Sequence, residues 1–327
     1  MNVLVVGYGS IGKRHIQNLL TFKGIQIFVL TKRTTDKFLK INKIHTINRF
    51  KDILNFKIDV AIISNNTNQH VKTASLLANL GCDLLIEKPL SHSMDDVQQL
   101  LKLSKKNKLV TLLGCVLRFN PFIKKIHEMI NNQTLGKIIF SHVENGSYLP
   151  DWHPHENYEL SYASKKSLGG GVVLTAIHEI DYLYWFFGTV KEVFSFTGKY
   201  SDLKISAEDL SSIVMKFNNN VISELHLDYF QRPGIRSCKV VGTKGTVYWD
   251  NSINEVKFYN NKRKKWTTKL KIDNYDWNQM YVDEMRYFLN CVKKRQKTIN
   301  SIEDGVETLK IALSIKKSSK SKRIEKL

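Results

Sequence analysis

Three groups of residues in the chain have the types and spacing that chemistry requires. Gly7-Tyr8-Gly9-Ser10-Ile11-Gly12 is a G-x-G-x-x-G set directly after an apolar run at residues 2–6 and before an amphipathic stretch. At a strand-to-helix turn the first glycine permits the bend and the second lets backbone approach a pyrophosphate. The third lets helix and strand pack closely, and the helix N-terminus faces the phosphates. That setting marks a dinucleotide site. An NAD site usually carries Asp or Glu some 20 residues further on to hold the ribose 2′-hydroxyl; here the sequence reads Leu30-Thr31-Lys32-Arg33. No carboxylate stands there, and Thr31, Lys32 and Arg33 could grip a 2′-phosphate through charge-assisted bonds. The cofactor read from these residues is NADP or NAD, with NADP favoured. The second group, Glu87-Lys88-Pro89, ends an apolar run at residues 83–86, at the strand edge where open α/β sheets bind ligands. The third is Gly169-Gly170-Gly171 leading into a helix whose Thr175, His178 and Asp181 recur every third residue and so share a face.

The elements that must position these groups follow from hydrophobic periodicity. At 327 residues the chain is long enough for two domains, and 42% hydrophobic and 10% aromatic residues supply a sizeable core. Strands at residues 2–6, 26–30, 60–64, 83–86 and 109–113 alternate with helices at 13–20, 69–80 and 94–105. This is the rhythm of β-α-β units: an N-terminal Rossmann domain with a doubly wound parallel sheet, residues 1–120. Beyond residue 136 long β-type runs dominate, at 137–148, 191–199, 210–217, 221–230, 237–241 and 246–249. They imply an α+β domain, 121–327, with a large, mostly antiparallel open sheet. In the 221–230 run Val221, Leu225, Leu227 and Tyr229 form an apolar face, and Glu224, His226 and Asp228 the free one. One long helix is expected at 171–187 and two at 277–293 and 302–317, the last able to pack back on the first domain.

Read together, these motifs resemble the Gfo/Idh/MocA oxidoreductase family over nearly the whole chain. The resemblance rests on Gly7–Gly12, the segment 63–70, Gly81 through Glu87-Lys88-Pro89, and Arg118-Phe119-Asn120-Pro121. It continues through Gly136-Lys137-Ile138, the triple glycine with His178 and Asp181, and Ser301-Ile302-Glu303-Asp304. It implies hydride transfer between a nicotinamide and a carbon bearing a hydroxyl or carbonyl, on a sugar, cyclitol or nucleotide-sugar, with a place in surface polysaccharide synthesis. It implies that Lys88 stabilises developing alkoxide charge and that His178 is the general base in oxidation, with Asp181 orienting it or binding substrate hydroxyls; an imidazole titrates near pH 6.5. It places Ser64, Asn65, Asn66, His70, Glu87 and Arg118 near the cofactor or bracing the lysine, and it suggests a cis Lys88–Pro89 bond. One departure stands out: where many members carry an Asp one turn before the histidine, this chain has Leu174 and Thr175. That leaves room for a non-catalytic dinucleotide-binding regulator, or for a reductase of a non-sugar substrate.

On the substrate side, Tyr148 and Trp152 offer the flat surfaces that sugars stack on, and Asp151 and His153 can bond hydroxyls. Arg232 would suit a carboxylated or phosphorylated sugar, and Thr175 could donate a hydrogen bond. His153 with His155 lacks a third matched ligand, so no metal is expected. The formal charge of +20 is spread along the chain, with clusters at residues 262–265, read as a hairpin tip, and 316–326. That spread reads as a lysine-rich surface able to steer anions, not a nucleic-acid interface. The N-terminus lacks a signal-peptide pattern, no run approaches the length of a membrane span, and the four cysteines show no pairing pattern. A cytoplasmic enzyme is expected, a homodimer or homotetramer through the free face of the second sheet.

Overall fold

The computed structural model describes residues 1–33 and 36–327, which divide into two compact units. The first comprises residues 1–115 and 281–306, the second 116–280 and 307–327. The division expected at residue 120 thus falls at Cys115, and a late segment of the chain groups with the first unit.

In the first unit six parallel strands lie in the order β3-β2-β1-β4-β5-β6. They are β1 (Asn2–Val6), β2 (Gln26–Leu30), β3 (His45–Ile47), β4 (Val60–Ile63), β5 (Asp83–Glu87) and β6 (Thr111–Gly114). Their central members are continuous apolar runs, as a parallel sheet covered on both faces demands. Helices α1 (Ser10–Leu19), α2 (Lys37–Ile41), α3 (His70–Asn79) and α4 (Val97–Lys106) connect them. Strand order reverses between β1 and β4, so the carboxyl ends of these strands form a switch point, where such sheets bind ligands.

The second unit opens with α5 (Pro121–Asn131), whose Asn120 cap accepts from the backbone N–H of Phe122 and Ile123, with a proline in the first turn. Strand β7 (Ile138–Gly146) follows, then α6 (Val172–Thr175) and α7 (Ile177–Phe187). The expected single helix at 171–187 is therefore two, parted at Ala176, where φ −93° and ψ 29° leave the helical range. Strands β8 (Val190–Gly198), β9 (Leu210–Phe217), β10 (Ile222–Asp228), β11 (Ile235–Gly242), β12 (Gly245–Asp250), β13 (Glu255–Asn260) and β14 (Lys265–Lys271) complete most of the sheet. Its order is β14-β13-β12-β11-β7-β10-β9-β8-β15, with β15 spanning Glu325–Lys326, and only β7–β10 is a parallel pair. Residues 261–264 form the turn between β13 and β14, as the basic cluster suggested. Val221, Leu225, Leu227 and Tyr229 are buried as expected, but so is Asp228. Its carboxylate accepts from the backbone N–H of Phe230 and Gln231 and pairs with His226, so it caps the strand end and does not face solvent.

Helices α8 (Gln279–Lys294) and α9 (Ile302–Ser321) lie close to the expected positions. Met285, Phe288 and Leu289 of α8 join Val3, Val5, Ile16 and Leu19 in one apolar cluster of the first unit. Phe288 is fully buried there. Its truncation to alanine should cost about 3–5 kcal/mol through lost burial and the cavity left behind. A denaturant titration that found Phe288→Ala as stable as the parent would remove α8 from this core.

Candidate active site

At the switch point the phosphate turn is built from bare backbone. Gly7 has φ +102°, and a Cβ there would stand 2.6 Å from the Ser64 carbonyl oxygen. A Cβ on Gly12 would stand 2.2 Å from the Gly7 carbonyl oxygen, so only hydrogen fits between α1 and the end of β1. Gly9, the N-cap of α1, has nothing within 4 Å of the position a Cβ would take, and no acidic side chain occupies the first helical turn. Open space over the second glycine and an uncapped, uncontested helix N-terminus are what a pyrophosphate needs. The residues present fit a dinucleotide: Gly7, Tyr8, Gly9, Ser10, Ile11 and Gly12 would hold its phosphates.

Beside this turn lies a cluster that spacing did not disclose. The Tyr8 hydroxyl donates to Asp36 at 3.1 Å, and the Asp36 carboxylate also caps the backbone N–H of Phe38 and Leu39. Burial and the Asp36 hydrogen bond push the Tyr8 phenol up to about 12, while the nearby Arg33 charge pulls the other way. Lys13 lies over the Tyr8 ring at 5.1 Å. At the end of β2 the backbone N–H of Arg33 donates to the Thr31 hydroxyl at 3.1 Å, and Lys32 and Arg33 are exposed.

The ends of β4 and β5 are stapled together. Ser64 donates its hydroxyl to the Val6 carbonyl at 3.0 Å, and the Asn65 amide donates to Thr73. Asn66 opens the short 3-10 turn Thr67–Gln69. The buried His70 ring lies between two carbonyls, with Nδ1 2.8 Å from Pro89 O and Nε2 3.0 Å from Asn65 O. Burial lowers its basicity, and the two carbonyls and the Glu87 charge oppose that. Glu87 itself is gripped by His15, Nε2 to Oε1 at 2.6 Å, both groups removed from solvent. Lys88 follows, joined to Pro89 by a cis peptide bond. On α8 the Tyr281 ring carries the Arg14 guanidinium at 4.6 Å, and burial together with the Glu87 charge raises its phenol. His15, Asp36 and Tyr281 were not singled out by sequence. The available signal for His15 was a polar residue beside Ile16 and Leu19 on the buried stripe of α1, a signal that Asn18 shares.

In the second unit Gly171, at φ +105°, brings the chain within reach of Glu208, whose carboxylate a Cβ would meet at 2.3 Å. Thr175 and His178, on either side of the break at Ala176, are both buried. Thr175 lies near the Tyr229 phenol, which burial raises well above its ordinary range. Asp181 has a partner its spacing gave no hint of. Arg118 Nε and Nη2 donate to its two oxygens at 2.8 and 2.9 Å, with both residues almost wholly buried and the guanidinium 5.5 Å from the Trp185 ring. Arg118, expected near the cofactor or bracing the lysine, and Asp181, expected to orient His178 or bind substrate hydroxyls, form one bidentate ion pair. Glu179, also buried, is held by Arg236 at 2.8 Å and by Asn145, and burial still raises its carboxyl.

The expected substrate residues largely converge. The Arg232 guanidinium lies 3.4 Å from the Tyr148 ring centroid and donates to both Asp151 oxygens at 3.2 and 3.4 Å. Trp152 donates to Ser147 at 2.8 Å and meets Tyr229 edge-on at 5.4 Å. His153 is exposed in the turn that follows, where its carbonyl accepts from Glu156. Among the described residues no group of three His, Cys, Asp or Glu side chains could hold a metal ion. Nor is any helix among them long and apolar enough to cross a membrane.

A parallel sheet with a bare phosphate turn at its switch point defines a dinucleotide-binding protein. Residues 1–115 match the oxidoreductase family with NAD-binding Rossmann fold, GFO/IDH/MocA, and residues 123–248 match the GFO/IDH/MocA C-terminal domain. The chain belongs to this oxidoreductase family. It is 25% identical to a myo-inositol 2-dehydrogenase of Thermotoga maritima, covering 100% of this chain and 98% of that one. An inositol 2-dehydrogenase of Salmonella typhimurium is 24% identical, with 85% of this chain and 81% of that one covered. Among solved structures, a levoglucosan dehydrogenase in complex with NADH superposes with a TM-score of 0.89 at 16% identity, covering 100% and 98% of the two chains. The myo-inositol 2-dehydrogenase of Lactobacillus plantarum gives 0.83 at 19% identity, covering 100% and 99%.

The buried Arg118–Asp181 pair yields a prediction. Asp181→Asn leaves a buried guanidinium without its counter-charge and should cost about 3–5 kcal/mol of stability. Replacing both partners with apolar residues should cost less. A variant of unchanged denaturation midpoint but lost turnover would return Asp181 to a purely chemical role.

Proposed function

We propose that the protein is an NAD(P)-dependent dehydrogenase acting on a hydroxyl-bearing carbon of a cyclitol or sugar. The observation that carries this reading is the position of Lys88. It follows β5 directly, at the same sheet edge as the Gly7–Gly12 turn, on a loop anchored by His15 through Glu87 and by His70 through Pro89. The full-length similarity to a myo-inositol 2-dehydrogenase supports the substrate class.

The nicotinamide, when bound, would take or give the hydride. The ammonium of Lys88 would stabilise negative charge growing on the substrate oxygen, and His178 would take that oxygen's proton in oxidation and return it in reduction. Thr175 would hold a substrate hydroxyl or the imidazole, in the region where many relatives by resemblance carry an acid. Tyr148, Trp152 and His153 would line the polyol. For the cofactor we favour NADP: Asp36 is committed to Tyr8 and to the start of α2, whereas Thr31, Lys32 and Arg33 stand at the end of β2 for a 2′-phosphate. No disulfide joins the cysteines among the described residues, which fits a reducing cytoplasm. The outer face of the second sheet, with Phe196 and Val214 exposed, would serve contact between copies.

Two measurements test this. Reduction of NAD or NADP is followed by absorbance with cyclitols, hexoses and nucleotide-linked sugars. Lys88→Ala should lose about a hundredfold or more of the turnover found, with cofactor affinity little changed. Turnover surviving in that variant would refute the role of Lys88, and no reduction with any compound would favour a dinucleotide-binding regulator. Arg33→Ala should weaken NADP about tenfold and leave NAD nearly untouched, reflecting a lost charge-assisted bond. A parent protein that binds NAD more tightly than NADP would overturn the cofactor preference.

A further inference from the structure

The second unit contains a run of neighbouring side chains that begins near His178 in the interior and ends at the surface in a matched charge. Thr175 precedes His178 by three residues and lies near the Tyr229 phenol. The edge of Trp152 meets that phenol ring, and Trp152 is tied by its indole N–H to Ser147. Tyr148, the next residue, carries the Arg232 guanidinium on its face, and Asp151 takes two hydrogen bonds from that guanidinium. Thr175 and Tyr229 are buried, so what the accessible end offers is the Trp152 and Tyr148 rings together with a cation already answered by an anion.

The Arg232–Asp151 pair does little for the fold. Its side chains are 59% and 63% exposed, and exposed pairs contribute little to stability. Ligand charge is another matter. A carboxylate or phosphate approaching Arg232 must displace the Asp151 oxygens and then stand beside the like charge it has displaced. A neutral polyol meets neither obstacle: it can stack on the rings and bond the outer lone pairs of Asp151 without breaking the pair.

We propose that Asp151 is a specificity-determining residue: by neutralising Arg232 against the Tyr148 ring, it makes the patch select neutral polyols over their carboxylated or phosphorylated counterparts. This rests on the dehydrogenase reading above and names the charge class of its substrate. It also reverses the expectation that Arg232 recruits an acidic sugar.

The test uses the full-length protein loaded with its cofactor and two matched pairs of compounds, glucose with glucuronate and myo-inositol with inositol 1-phosphate. Affinity is measured by calorimetry and turnover by absorbance. The parent protein should favour the neutral member of each pair. Asp151→Asn keeps the shape but uncovers the guanidinium, and it should shift the acid-to-neutral ratio about tenfold towards the acid, an effect that shrinks as salt is raised. Adding Arg232→Gln to Asp151→Asn should cancel the shift. A parent that prefers the acids, or a ratio unmoved in Asp151→Asn while neutral compounds still bind, would overturn this inference alone. Failure of all four compounds to bind or turn over would count against the dehydrogenase reading and take this inference with it.

Discussion

Much of the first unit depends on a place where no side chain fits. The first turn of α1 passes so close to the end of β1 that an added Cβ at Gly12 would overlap the Gly7 carbonyl. At Gly7 the space is closed by Ser64, which also ties β4 to β1 through its hydroxyl. This close approach aims the helix N-terminus over the strand ends and leaves the space above Gly9 clear. The constraint is steric and the benefit electrostatic, because unpaired backbone N–H groups become an anion site only when nothing else reaches them.

In each unit the protein sets charged side chains in its interior against counterparts. Glu87 is met by His15, Asp181 by Arg118 and Glu179 by Arg236. Such pairs are weak sources of net stability, yet removing one member is expensive, so they hold their surroundings in one arrangement. Two of the three involve residues adjacent in sequence to Lys88 and His178, the residues proposed for the chemistry. Their neighbours are thus fixed by directional bonds as well as by packing.

Five strands of the first unit were legible because burial on both faces turns them into apolar runs, and the glycine motif because its geometry admits few other residues; β3, short and mostly exposed, was not. The long strands of the second unit were legible by alternation. Strands β13 and β14 were not: β14 is mostly exposed and lysine-rich, so neither face of it carries an apolar signature. Helix α5 carried a readable start in Asn120-Pro121 but was not drawn as an element. Among the site residues, those within one motif could be found, whereas partners across the chain could not. Arg118 and Asp181 are 63 residues apart and His15 and Glu87 are 72 apart, and no local pattern links such positions. The break at Ala176 was hidden for a different reason: alanine favours helix, and only the tertiary setting overrides it.

The grouping of residues 281–306 with the nucleotide-binding unit bears on how the molecule is made. A nascent chain that has left the ribosome only as far as β6 holds all six strands of that sheet but lacks the helix supplying Met285, Phe288 and Leu289. The apolar face that this helix packs on is covered only in part, by Ile16, Leu19 and Leu39, until residues 116–280 have been translated. Domains usually mature in the order of synthesis. Here the first unit to emerge waits for a segment made after most of the second, and its partly covered apolar sheet is a natural client for chaperones in that interval.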